Sequence, residues 1–209
     1  MLYRLTDQLV LRSRWRPYLA RPGERVLVLR TGAVFPPGHP STRLCLDLLQ
    51  EALEVGPLPL RARLLDVGCG SGVLLLAAAA LAPRPCVGVD LSRRAVLVSR
   101  DNALANGLAG AVRLVQGSTE CLRGSFAVIL ANLPFTVQLD KVAEFSRLTG
   151  VPGCLILSGF KDSQEDELLA RYRQAGWRLQ RRLTRDEWVA ELPPEKSFTW
   201  VGWLLQPAC

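Results

Sequence analysis

The stretch Leu64-Leu65-Asp66-Val67-Gly68-Cys69-Gly70-Ser71-Gly72 decides how the rest of the chain is read. An apolar run from Ala62 to Val67 ends in three glycines at every second position, and a second apolar run, Val73 to Leu81, follows. This is the pattern of a buried strand, a tight turn and a helix start. Glycine supplies the positive φ such a turn needs and lets a ligand lie against the backbone. The N–H groups of the helix's first turn are expected to face that ligand. Asp66, at the carboxyl end of the strand, adds a negative charge beside the same spot.

Downstream of this turn, strands and helices alternate. Cys86–Asp90 reads as a strand and Arg93–Ala105 as a helix ending at Asn106-Gly107. Ala111–Val115 and Phe126–Ala131 read as strands, and Asp140–Leu148 as a helix. Gly153–Ser158 is a fifth strand and Ser163–Ala175 a further helix. The order implies an α/β fold with a parallel sheet and helices on both faces. Trp177–Leu183 and Phe198–Leu205 flank Pro193-Pro194 with no long helix between, the pattern of a closing antiparallel hairpin.

Upstream, residues 1–40 read as irregular apart from a strand candidate at Arg25–Arg30 and the loop Thr31–Pro40. Ser41 or Thr42 is expected to cap a helix with apolar positions Leu44, Leu46, Leu48, Leu49 and Leu53. Gly56-Pro57-Leu58-Pro59 ends it. Residues 1–55 are therefore expected to form an extension packed on a catalytic domain of residues 56–209, one structural domain overall.

The 209 residues suffice for a large core, and 49% apolar with 22% charged residues fits a globular chain. No run of about 18 uncharged apolar residues occurs. The N-terminus lacks a signal-peptide core, so a cytoplasmic location is expected, with no membrane partner. The net charge of +7 is carried almost wholly by arginine, and Arg12, Arg14, Arg16, Arg21, Arg25 and Arg30 crowd the first thirty residues. They read either as an RNA or ribosome contact or as a solvated basic face. The six cysteines contain no Cys-x-x-Cys pair, and His39 is the single histidine, so no metal site is expected. Cys45, Cys86 and Cys154 lie in apolar runs and read as reduced core residues. The tryptophans read as core or hairpin packing rather than a stacking platform.

Ligands of such sheets bind outside the carboxyl ends of the strands. Those ends carry Asp66–Gly72, Asp90-Leu91-Ser92, Gln116-Gly117-Ser118 and Asn132-Leu133-Pro134-Phe135. A carboxylate at Asp90 can accept two ribose hydroxyl hydrogens. A dinucleotide fold uses Gly-x-Gly-x-x-Gly with a later acid, but Val73 stands where that pattern requires glycine. Asp66 would repel a pyrophosphate, whereas beside the ammonium or sulfonium of S-adenosylmethionine it is favourable.

The Asp66–Gly72 turn together with Gly88-Val89-Asp90 resembles the Rossmann-like S-adenosylmethionine-dependent methyltransferases. The closer likeness is to the PrmA type, which methylates a large-subunit ribosomal protein. His39-Pro40-Ser41-Thr42-Arg43-Leu44-Cys45-Leu46 is similar to that type's His-x-Thr-Thr-x-x-Cys-Leu segment. Asn102-Ala103 with Asn106-Gly107, Ala131-Asn132-Leu133, Leu155–Gly159 and Glu187-Trp188 match further stretches, so the likeness spans roughly residues 25 to 205. The resemblance implies a mostly parallel seven-stranded sheet closed by an antiparallel hairpin. It also implies contacts to S-adenosylmethionine from Thr42, Asp66, Gly68, Cys69, Gly70, Gly72, Asp90, Leu91, Ser118 and Asn132, and no metal.

Methyl transfer from a sulfonium is an in-line displacement, so the protein must hold donor and acceptor in line. The Asn132 oxygen is expected to accept a hydrogen from the acceptor nitrogen, Pro134 to stiffen the loop, and Phe135 to cover or stack on the acceptor. His39 is a candidate base or a structural loop residue, and Glu187 a candidate for the acceptor pocket. The implied substrate is a ribosomal or other translation-related protein. Asn132-Leu133-Pro134-Phe135 is also close to the Asn-Pro-Pro-Tyr/Phe of enzymes that methylate base or glutamine amide nitrogens, so a nucleic-acid or amide acceptor stays open. Two departures count against direct transfer of the substrate. Ser118 replaces an acid near the adenine, and the family's N-terminal recognition domain is expected to be missing. A partner subunit supplying recognition, or a non-catalytic cofactor-binding role, is the alternative.

Overall fold

The computed structural model describes residues 2–7, 9–30, 38–54, 59, 61–187 and 199–208. Strands β1 (Leu2–Thr6), β2 (Leu9–Ser13) and β3 (Arg25–Leu29) precede helix α1 (Pro40–Glu54). Then come β4 (Leu64–Val67), α2 (Val73–Leu81), β5 (Cys86–Asp90), α3 (Arg93–Ala105), β6 (Val112–Gln116) and β7 (Phe126–Asn132). The last third holds α4 (Phe135–Asp140), α5 (Val142–Leu148), β8 (Thr149–Lys161), α6 (Glu165–Gln174), β9 (Trp177–Asp186) and β10 (Thr199–Pro207).

Seven strands form one sheet in the order β6-β5-β4-β7-β8-β10-β9. The first five run parallel, and β10 is antiparallel to both β8 and β9. The two-residue period of each central strand splits the core in two. Leu64, Val128, Leu130 and Ile156 join α1 and α2 on one face. Leu65, Val67, Ile129, Ala131, Leu155 and Leu157 join α5 and α6 on the other. Asp66 takes its alternating position on the α2 side, where its carboxylate accepts the Leu75 N–H at 3.0 Å.

The amino-terminal third departs from the sequence reading. Residues 1–40 are not irregular: β1, β2 and β3 form a second, three-stranded sheet, with β2 and β3 parallel. These strands are short and interrupted by arginines, which hid their period. Helix α1 starts at Pro40, so neither Ser41 nor Thr42 is its cap. The His39 carbonyl accepts from the Thr42 and Arg43 N–H groups, and its Nδ1 accepts the Ser41 N–H at 3.3 Å. The helix expected over 140–148 is α5, and a further short helix, α4, precedes it across Lys141. Trp177 and Trp203 are buried as expected, but Trp15 is 85% exposed. Thr31–Pro37, Trp188 and Pro193-Pro194 lie outside the described residues.

Asn102, on α3, and Asn106, its C-cap residue, stand four apart. Asn106 pairs with both the N–H and the carbonyl of Val28, and Asn102 does the same with Arg30. Two side-chain amides thus stand in for a neighbouring strand along β3. Asn102 also donates to the Ser71 carbonyl at 2.8 Å, tying the end of β3 to the glycine turn.

Candidate active site

The turn after β4 is built as its glycines require. Gly68, Gly70 and Gly72 have φ of 71°, 55° and 80°. A Cβ on Gly68 would stand 2.5 Å from a Leu133 methyl, so the turn after β4 and the loop after β7 meet face to face. The first-turn N–H groups of α2 are not all turned to a ligand, because Asp66 takes that of Leu75.

Two clefts open around this meeting point. The larger, about 660 Å³, is bounded by Val89–Ser92 and Gly117–Thr119 on one side. Across it lie Asn132, Leu133, Pro134, Val137, Lys141, Gly159 and Trp200, and Val67, Gly68 and Gly70 lie between. The smaller, about 40 Å³, is lined by Thr42, Asp66, Gly68, Cys69, Gly70, Ser71, Val73, Leu74 and Asn132. Gly68, Gly70 and Asn132 belong to both.

Asp90 is held in place by two backbone donors. Its Oδ2 accepts the Gly70 N–H at 2.9 Å and its Oδ1 the Ser92 N–H at 2.8 Å. Each oxygen keeps a lone pair for a further donor. Asp66 is only 2% exposed; burial, with a smaller contribution from the Asp90 charge, raises its carboxyl to about 7 against the Leu75 hydrogen bond. Asn132 donates through Nδ2 to Thr42 Oγ1 at 3.2 Å, which leaves Oδ1 as its acceptor. The buried hydroxyl of Ser71 has no hydrogen-bond partner among the described residues.

Most of the residues singled out in the sequence are brought together here. Asp90, Leu91, Ser118 and Pro134 line the larger cleft, Thr42, Asp66 and Cys69 the smaller, and Gly68, Gly70 and Asn132 both. Gly72 stands behind the turn as the N-cap of α2, packed on Ser99. The Cys69 side chain is buried against Gly88. Phe135 is not among the lining residues; it packs on the α5–α6 core. His39 also stands back from the clefts, edge-on to Trp200 with ring centroids 4.6 Å apart. Burial lowers its pKa, opposed by the Glu187 carboxylate.

Lys141, Gly159 and Trp200 were missed in the sequence. Lys141 donates to Ser118 Oγ at 3.0 Å and pairs with Glu120, whose carboxyl it lowers to about 2. The signal for Trp200 was the period of β10: Val201, Trp203 and Leu205 take the α5–α6 face, leaving Trp200 to the other. Its indole N–H donates to Glu187 at 2.7 Å.

The residues fit S-adenosylmethionine on the structure's own terms. The smaller cleft offers a carboxylate, an unpartnered hydroxyl and a threonine to a zwitterionic amino-acid end. The larger has a fixed carboxylate facing otherwise mostly apolar walls, the character of a nucleoside site. Among the described residues no helix is long and apolar enough to cross a membrane.

The chain is similar to known proteins. The family model for ribosomal protein L11 methyltransferase (PrmA) matches residues 3–192. The ribosomal protein L11 methyltransferase of Syntrophotalea carbinolica is 35% identical over 188 residues, covering 90% of this chain and 61% of its own length. That of Pelobacter propionicus is 37% identical over 190 residues, again 61% of its own length. The chain thus spans about 61% of the length of these curated relatives. A crystal structure of ribosomal protein L11 methylase from Lactobacillus delbrueckii subsp. bulgaricus superposes with a TM-score of 0.81 at 22% identity, covering 100% of this chain and 98% of that one. On the matched residues and the fold they share, the chain belongs to the ribosomal protein L11 methyltransferase (PrmA) family.

Proposed function

We propose that the chain is an S-adenosylmethionine-dependent N-methyltransferase that acts on an amine of a ribosomal protein, with L11 as the first candidate. The observation that carries this reading is the junction of two unlike clefts at Gly68, Gly70 and Asn132. When bound, S-adenosylmethionine supplies a methyl group on a sulfonium, activated for in-line displacement. Asp66, Thr42 and Ser71 would hold its amino-acid end, and Asp90 its ribose hydroxyls. Leu91 and Ser118 line the remainder of the nucleoside side.

The acceptor must attack as a neutral amine, its ammonium proton having passed to solvent. Asn132 Oδ1 accepts a hydrogen that remains on the nitrogen and so fixes the direction of the lone pair. Thr42 holds the Asn132 amide by its other end. Trp200 walls the larger cleft, with the Lys161 ammonium 5.5 Å from its ring centroid. Transfer to a base or amide nitrogen is the weaker reading, because Phe135, the aromatic that would stack there, packs on the core instead.

Calorimetric titration with S-adenosylhomocysteine and, separately, NADH tests the cofactor. The reading expects S-adenosylhomocysteine to bind and NADH not to; tight NADH binding overturns it.

A further inference from the structure

Between β2 and β3 the chain runs from Arg14 to Glu24 in a loop whose first turn is held by the Arg12 side chain. Arg12 Nη1 donates to the carbonyls of Ser13, Arg14 and Arg16 at 3.3, 3.2 and 3.0 Å. The Arg14 N–H is bonded to the Leu29 carbonyl at 3.0 Å, and that of Arg16 to Ser13. On this pinned turn Trp15 stands 85% exposed, with the Arg14 guanidinium 5.2 Å from its ring centroid. So exposed, the ring offers a partner a large apolar face.

The surroundings identify what covers it. Residues 9–30 hold six arginines and one acid, Glu24. Glu24 is already engaged by the Arg21 N–H, the Tyr18 hydroxyl and the Arg4 guanidinium. Among the described residues no carboxylate pairs with Arg14, Arg16 or Arg30, all of them exposed. Trp15's immediate exposed neighbours in the chain are Arg14, Arg16 and Pro17, and Leu19, 93% exposed, is the one other large apolar side chain so exposed among the described residues of the loop. An aromatic ring among guanidinium groups that no carboxylate neutralises among the described residues is the chemistry of single-stranded nucleic acid binding: a base stacks, and phosphates take the arginines. The place matters too. Arg14 bonds to Leu29, the next residue Arg30 is stapled by Asn102, and Asn102 also holds Ser71 of the glycine turn.

We infer that Arg14, Trp15, Arg16 and Arg30 form a site for an unpaired segment of RNA, tied through Leu29 and Asn102 to the glycine turn, with a base on Trp15 and phosphates on the arginines. The inference does not depend on the identity of the methyl acceptor.

The test is fluorescence anisotropy of the full chain with a labelled single-stranded RNA of roughly 12 nucleotides, the matching duplex, and a labelled polyglutamate peptide. The single strand is expected to bind more tightly than either. Trp15→Ala should weaken it ~10-fold and Trp15→Phe much less, because stacking needs only the ring. Arg14→Ala with Arg16→Ala should flatten the logarithmic salt dependence by about 1.4, two phosphates' worth on a single strand. All these side chains are exposed, so the variants keep the fold, which thermal melting verifies. Absence of RNA binding, equal binding of the duplex, unchanged affinity of Trp15→Ala, or preference for the acidic peptide overturns the site.

Discussion

The side-chain amide of Asn132 donates to the hydroxyl of Thr42 across 3.2 Å, joining residues ninety apart in the chain. One ends β7 and the other lies in the first turn of α1. The amide is therefore oriented before any ligand arrives, and its oxygen is the atom left to accept. Asn132→Ala is expected to lower turnover by about 100-fold while changing cofactor affinity little. Thr42→Val, which keeps the volume and removes the hydroxyl, should cost about tenfold in kcat. Steady-state kinetics with parallel calorimetry reads both effects.

Asp90 is fixed by the Gly70 and Ser92 N–H groups and lines the larger cleft. Asp90→Ala should weaken S-adenosylhomocysteine binding by ~1.5–3 kcal/mol, the scale of charge-assisted hydrogen bonds. Calorimetry of the folded variant with unchanged affinity would remove Asp90 from the ribose site.

Much of this was legible from the residues, and the failures have physical causes. The glycine turn, the strand ends and the closing hairpin declare themselves because burial forces a period and backbone geometry forces glycine. Phe135 was misplaced because an aromatic after Asn-Leu-Pro has the same pattern whether it faces a ligand or a core. Here α4 turns it toward the α5–α6 core. Lys141 was hidden because its place depends on the break between α4 and α5, which composition does not mark. The role of Asn102 and Asn106 was equally hidden: their partners, Val28 and Arg30, are more than seventy residues away.

Asp66 makes the molecule sensitive to pH. Burial raises its carboxyl from an ordinary 3.8 to about 7. Between those values the native state holds a proton that the unfolded state has lost, so stability should fall as pH rises from about 4 to 7 and then level off. A bound cation beside Asp66 favours its ionised form, so cofactor binding near pH 6.5 should release part of a proton (~0.5 or more). Calorimetry in two buffers of different ionisation enthalpy measures it. Asp66→Asn should abolish the release, and buffer-independent heats in the native protein would contradict this role.

Gly159, at φ +100°, lies against the acceptor loop. A Cβ there would stand 2.3 Å from the Leu133 carbonyl oxygen and 3.0 Å from Asn132 Oδ1. Gly159→Ala is expected to destabilise the fold by about 1–3 kcal/mol and to lower turnover by displacing Asn132. Chemical denaturation gives the first and kinetics the second; wild-type values in both would show that the loop has room to move.

The account rests on methyl transfer to a ribosomal protein, and one measurement reaches it most directly. Purified chain is incubated with methyl-labelled S-adenosylmethionine and unmethylated ribosomal protein L11, and label on L11 is followed by mass spectrometry. The account predicts methyl groups on amine nitrogens of L11, with turnover lost in Asn132→Ala. A folded chain that binds S-adenosylhomocysteine yet leaves L11 unlabelled would contradict it.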